Sequence, residues 1–407
     1  MKTNEKKLKQ RAHALLRMPL IIGLPLIVAS CTERNLPKSI PPKVETSIEQ
    51  KASGIFSSLF PNNTRTEAMT SLDSLETSDS DTKLYLANFA NGGFLLFRDG
   101  CDEEMNVLAF SDQSSLKFSD AETNPILNDI FLACTTKKID MGKIDPDDPT
   151  TQYPLSVVER QSAYSYDILF RPNTYEYLRQ KAPFNAQIKD QHPAGCGPIA
   201  VVTLLSHYEM QAGGSRVDWR KLKENYNKPG MIPDLSTNGY YILYELQKLV
   251  ADAWRHEIII STDGYTMTLP YHITGYLKRV GLNATYRNGY DATEMCNTLK
   301  EKHQPFILLG WAKDDANKKE AHYWVVDGFA HMVHTEYGYT INYPGAKKEP
   351  FERKIIDRDL IHCTWGWGGV CNGWFSPYLI NENNGVEIRS SHPSGEYHNI
   401  STFYIWK

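Results

Sequence analysis

The sequence predicts an α+β fold, with helices and an antiparallel sheet in residues 165–407 and a smaller α+β unit ahead of them. Apolar residues recur at three- and four-residue spacing over 240–255, 271–280 and 292–301, the period of half-buried helices. Short runs rich in β-branched and aromatic residues at 305–309, 322–329, 337–342, 375–379 and 402–406 read as strands. A strand–turn–strand signature spans 84–97. The 407 residues carry 44 basic and 48 acidic side chains, and a net charge of −4 gives no electrostatic reason to expect nucleic acid as a partner. With 41% apolar and 23% charged residues the chain has the composition of a folded protein. Seven cysteines without a CxxC pair support neither a disulfide scaffold nor a structural zinc site; no metal or organic cofactor is implied.

Residues 1–30 read as an address. Lys2, Lys6, Lys7, Lys9, Arg11 and Arg17 precede an apolar run over 18–29 that Pro19, Gly23 and Pro25 interrupt. That run is shorter than the ~20 residues a membrane span requires. It ends in Val28-Ala29-Ser30-Cys31, which looks like a bacterial lipobox, so Cys31 is the expected lipid anchor. An ordinary secretory signal with a chance cysteine is the alternative. Either way the protein is expected to be exported; the lipidated form would sit on a bacterial outer membrane or cell surface, since several acyl chains together bind a bilayer stably.

Residues 31–81 read as a low-complexity tether. Ser, Thr and acidic residues dominate 62–83, and such a composition cannot bury enough surface to offset its chain entropy. Only a short amphipathic helix near 55–60 is expected there. In 82–136 the runs 84–89, 94–97 and 107–110 read as strands, 91–93 as a turn and 125–132 as a short helix. So small a unit is expected to pack against something larger. Residues 137–164 then read as an exposed linker, with two prolines, many charges and no apolar period at its start, and so as a place to be cut.

The chemistry is expected around Gly195-Cys196-Gly197-Pro198, which opens the most apolar helix of the chain. Pro198 fits a first helical turn. A cysteine there lies at the positive end of the helix dipole, which favours thiolate, and free N–H groups can face a developing oxyanion. The other meaning of such a cysteine is a small buried hydrophobe. His322, opening His322-Tyr323-Trp324-Val325-Val326 before an Asp327-Gly328 turn, is the best proton acceptor, although a histidine before a strand is commonly just a satisfied residue. Thr364-Trp365-Gly366-Trp367-Gly368-Gly369, then Asn372-Gly373-Trp374-Phe375, sets glycines against aromatic lids; Trp365 and Trp367 are expected to shield the cleft.

Together these motifs resemble the streptopain family, secreted cysteine peptidases of the papain clan. Ala194-Gly195-Cys196, His322 to Gly328 and Trp365 to Phe375 match its motifs in its order, and Gln180, Pro183, Phe184 and Asn185 match its Gln-x-x-Pro-aromatic-Asn. The likeness covers roughly residues 82–134 and 165–407. It implies a papain-like two-lobe domain in 165–407, with Cys196 on a helical lobe and His322 and Thr364 on a sheet lobe. It further implies that Gln180 donates to the oxyanion, that 82–136 is an inhibitory propeptide covering the cleft, and that the substrates are proteins or peptides. Cys196 would attack as a thiolate with His322 holding the proton, and a thioester would then be hydrolysed.

Three departures stand out. Thr364 occupies the place of the Asn that usually orients the histidine, and its shorter hydroxyl would hold His322 less firmly, weakening catalysis rather than removing it. Gly197-Pro198 replaces the usual Val-Ala and looks more like bacteriocin-processing cysteine peptidases. Connections within 204–264 and 329–362 are longer than the family core needs. A catalytically weak or inactive surface binding protein on a peptidase scaffold is the rival reading, and a transferase or amidase using the same pair is another. Cys363 and Cys371, flanking the Trp-Gly run, pair or stay free on equal sequence grounds.

Overall fold

The computed structural model describes residues 47–60, 68–77, 83–90, 92–99, 105–122, part of 127–135, 157–229, 231–233, 239–260, 266–313, 319–340, 347, 349–377 and 400–407. The leader, Cys31 and residues 137–156 lie outside the described residues. Six α-helices are described: α1 Ile48–Leu59, α2 Cys196–Tyr208, α3 Trp219–Tyr226, α4 Gly239–Glu257, α5 Pro270–Arg279 and α6 Ala292–Lys302. The first strands are β1 Met69–Glu76, β2 Lys83–Phe89, β3 Phe94–Asp99, β4 Met105–Ser111 and β5 Val157–Phe170. β6 Ile258–Ile260, β7 Thr266–Thr268, β8 Asn283–Asn288 and β9 Phe306–Lys313 follow. The last are β10 Lys319–Thr340, β11 Glu349–Thr364, β12 Gly373–Phe375 and β13 Ile400–Trp406.

One large antiparallel sheet organises these elements, in the order β1-β2-β3-β4-β12-β11-β10-β9-β13-β8. Its spine is the 22-residue β10, which pairs with β9 through Lys319–Val326 and with β11 from Val325 onward. Beyond Phe329 its other edge passes to β5. Alternation along β10 sorts side chains to two cores. Tyr323 and Val325 join the helices α2, α4 and α5, whereas Trp324 and Val326 join α6, Trp365 and the inner strands of the N-terminal half. Helix α2 is buried continuously from Gly197 to Ser206, as its unbroken apolar sequence requires.

Four expectations are corrected. Residues 47–60 and 68–77 are not a tether. Ser47 and Gln50 form a reciprocal capping box at the start of α1, and Ala52, Ile55, Phe56 and Leu59 bury one face of it. Phe56 stacks on Phe89 with ring centroids 3.7 Å apart. β1, though polar, is held by pairing with β2, and its Asp73 and Glu76 suit an exposed sheet edge.

The 82–136 segment is not a separate module, because β4 pairs with β12 and the sheet runs on. Phe94-Leu95-Leu96-Phe97 is buried on both faces, Phe94 and Leu96 toward Trp365 and Leu95 and Phe97 toward α1. Strands apolar on both sides need cover on both sides and cannot stand alone. The last part of the expected linker, 157–164, lies in β5 against β10, with Tyr164 buried. Finally, Asp327-Gly328 does not end a strand in a turn: β10 runs through it with a bulge, so the expected strands 322–329 and 337–342 are one. The helices at 240–255, 271–280 and 292–301 lie where their spacing put them.

Candidate active site

Helix α2 begins at Cys196, with Gly195 before it at φ 81° and no side chain capping its first N–H groups. The Leu178-Arg179-Gln180 segment brings the separate motifs to this point. The Gln180 carbonyl accepts the N–H of Ala194 at 2.7 Å, and the Leu178 carbonyl accepts that of Gly368 at 2.8 Å. Asn185 fastens the approach to α2 by donating to the carbonyls of Gln191 and His192 at 2.6 and 3.2 Å. Among the described residues the Gln180 side-chain amide has no partner, which leaves it free to donate.

Gly197 answers one departure from the family pattern. A β-carbon there would stand 2.5 Å from the Thr268 hydroxyl oxygen, and the Thr268 carbonyl in turn accepts the Tyr323 hydroxyl at 2.9 Å. β7 therefore closes onto the first turn of α2, and any side chain at 197 would push it away.

His322 is buried, and its Nε2 lies 3.0 Å from the main-chain oxygen of Trp365. A carbonyl only accepts, so Nε2 carries the proton in the neutral ring and Nδ1 is left as the basic nitrogen. Among the described residues Nδ1 makes no hydrogen bond. The Trp367 ring stacks on the imidazole with centroids 4.7 Å apart, while Trp365 is fully buried, one layer back against Trp324. Burial pushes the His322 pKa down to about 4, with the Trp365 carbonyl working the other way.

The Cys196 thiol rests on the main chain of the His322 strand. Its Sγ donates to the Ala321 carbonyl at 3.8 Å, and no hydrogen bond joins it to His322 among the described residues. Burial raises its pKa against the pull of the Tyr323, Cys196 and Gly197 N–H groups. Both shifts work against the thiolate–imidazolium form and toward the neutral thiol and imidazole.

Thr364 does not hold His322. Its hydroxyl donates to Asp327 Oδ2 at 3.2 Å, and the group on the imidazole is the backbone carbonyl one residue further on. Asp327 is fully buried and accepts from three sides: from Thr364, from the Thr174 hydroxyl, and on Oδ1 from His362 Nδ1 at 2.7 Å. Glu176 stands 3.9 Å from His362 Nε2. Burial works to lower the His362 pKa but is overcome by Asp327, then by Glu176 and Asp112, so the pKa is raised overall. Burial raises that of Glu176.

None of Thr174, Glu176, Asp327 and His362 stood out as a site residue in the sequence. The one usable signal was an aspartate inside an otherwise apolar strand run, which a turn explained equally well. Cys363 and Cys371 are separate buried thiols, the latter 3.6 Å from Asp120 Oδ2.

No protein-family profile matches the chain, and no curated protein matches it. Among solved structures, active wild-type interpain A, a cysteine protease of Prevotella intermedia, aligns with 57% of this chain and 93% of its own at 14% identity and a TM-score of 0.38.

Proposed function

We propose that this protein is an exported, lipid-anchored cysteine endopeptidase of the streptopain type, made as a zymogen, acting on proteins or peptides without a cofactor. The observation that carries the reading is the convergence at the start of α2. Cys196 lies against the strand of His322, whose Nε2 is fixed by the Trp365 carbonyl and whose Nδ1 is open, and the main-chain carbonyl of Gln180 holds Ala194, two residues before the cysteine. Nδ1 takes the thiol proton as sulfur attacks the peptide carbonyl, and the developing oxyanion is met by Gln180 and the Cys196 N–H. His322 then protonates the leaving amine, and water cleaves the thioester.

Latency is supported by the 111–120 segment, which clamps the Trp-Gly loop. Ser114 donates to the Gly369 carbonyl at 2.6 Å, and the Ser115 carbonyl accepts the Cys371 N–H at 3.3 Å. A thiol-directed epoxide should label the activated protein at one site, and Cys196→Ala should abolish that labelling. Labelling that survives the substitution rules out Cys196 as the nucleophile. Anchoring is tested apart from catalysis: Cys31→Ala should move the protein from membrane to soluble fractions in a bacterial host, and unchanged partition removes the lipoprotein assignment.

A further inference from the structure

The group that holds His322 is a peptide carbonyl, so no side chain at that position does the holding. What fixes the carbonyl is what fixes its peptide. The Trp365 N–H, on the same residue, donates to Asn372 Oδ1 at 2.9 Å. The Asn372 amide nitrogen donates in turn to the Glu176 carbonyl at 3.2 Å, and its own N–H to the Gly369 carbonyl at 3.3 Å. Asn372 is 2% exposed. Positive φ at Gly366, Gly368, Gly369 and Cys371 turns the chain back so that residue 372 lies beside residue 365.

We infer that Asn372 is a positioning residue, holding the Trp365 residue so that its carbonyl fixes the Nε2–H tautomer of His322 and leaves Nδ1 as the base. The inference rests on the peptidase reading for its catalytic meaning, though not for its geometry. With the N–H anchored and the carbonyl bonded, Trp365 is restrained on both sides of its α-carbon, and linked bonds of this kind strengthen one another in a water-free site. Without Asn372 the Trp365 N–H loses a buried acceptor, the turn is free to rotate about 365–366, and the carbonyl leaves the plane of the imidazole. The ring then distributes between tautomers, and the one with the proton on Nδ1 cannot accept from Cys196. The orienting function that an asparagine side chain performs directly in the family pattern is here performed at one remove, by an asparagine seven residues past Trp365 acting through the main chain.

The test reads the ring itself. In the full chain labelled with 15N-histidine, with the His322 signal assigned by its loss in His322→Gln, the native protein should show a single Nε2–H tautomer. Asn372→Ala should give a mixture, with kcat on labelled casein reduced roughly tenfold to a hundredfold, the scale of a partner one step behind a reacting group, and KM nearly unchanged. Should the alanine variant not fold, Asn372→Ser, whose hydroxyl does not reach the Trp365 N–H, is read in the same way. Asn372→Asp keeps an oxygen in place and should restore the single tautomer. A folded Ala or Ser variant with the native tautomer overturns the inference, whatever its melting temperature. The tautomer is measurable in a protein that cleaves nothing, so failure of the peptidase reading and failure of this inference are separate results.

Discussion

Cys196→Ala and His322→Ala should each remove the proposed peptide cleavage, with losses on the order of 10⁴- to 10⁶-fold in kcat, while leaving the fold intact. The size follows from the resting state of the pair. Where a thiolate is preformed, loss of the base leaves a nucleophile behind. Here burial raises the Cys196 pKa and lowers that of His322 to about 4, both favouring the uncharged pair, so attack should depend on Nδ1 taking the thiol proton. Removing either partner therefore stops the same step. The pH profile carries a further signature: kcat/KM should hold from neutrality down and fall as pH drops through about 4, where a protonated His322 can no longer accept. Native protein should also trim itself between 137 and 156, with Cys196→Ala staying in one piece. Casein hydrolysis and fragment masses followed together check all of this, and residual turnover in a homogeneous Cys196→Ala preparation sinks the mechanism.

Asp327→Ala should be strongly destabilising, by about 3–5 kcal/mol, because it strips a buried carboxylate from the His362 imidazole and two hydroxyls. On a fold of this size that is a drop in Tm on the order of 5–10 °C. Asp327→Asn, which keeps one acceptor oxygen, should cost less. The pH dependence has a definite sign. The folded-state pKa of His362 is raised, so its contribution is complete below the unfolded value near 6.5 and is lost as pH rises through the folded one. Glu176 and Asp112, also raised, act in the same direction from lower starting points, whereas His322 and His207, lowered by burial, contribute above the unfolded histidine value and lose it as pH falls. Native protein should therefore lose stability on the alkaline side more steeply than Asp327→Ala does. Melting curves from pH 5 to 9 for the three proteins decide it, and equal melting temperatures would mean that the cluster is indifferent to its carboxylate.

Helices α2, α4, α5 and α6 and strands β2, β3, β4, β9 and β13 are legible because period and burial agree along them, whereas α3, β5 and β11 carry no such local signal. Where the sequence misled, the deciding interaction was distant or lay in the backbone. Asp327-Gly328 has the same local meaning in a hairpin and in a bulge, and only pairing with His362 and Thr364 separates the two. Residues 69–76 are polar enough for a tether and become a strand only because β2 offers them an edge. Motif position alone points to Thr364 as the orienting side chain. A main-chain oxygen that does the same work leaves no residue type to find, and Asn372, which secures it, stood in view within the Trp-Gly run without an assigned task.

Among the described residues, β4 and β12 pair through Phe110 with Trp374 and Ala109 with Phe375, yet the strands on either side share one apolar core. A chain severed between 137 and 156 would thus be two polypeptides and still a single folded body. Proteolysis changes its connectivity, while separating the pieces means wetting Leu96, Leu108, Phe375 and the buried Trp365, at about 1.5–3 kcal/mol for each large side chain. If the protein is the zymogen proposed above, its maturation would then be a dissociation with its own half-life, a nicked heterodimer that outlasts the cut. Its lifetime can be shortened by mild denaturant or by a second incision, and lengthened by concentration once the fragments are free to find each other again.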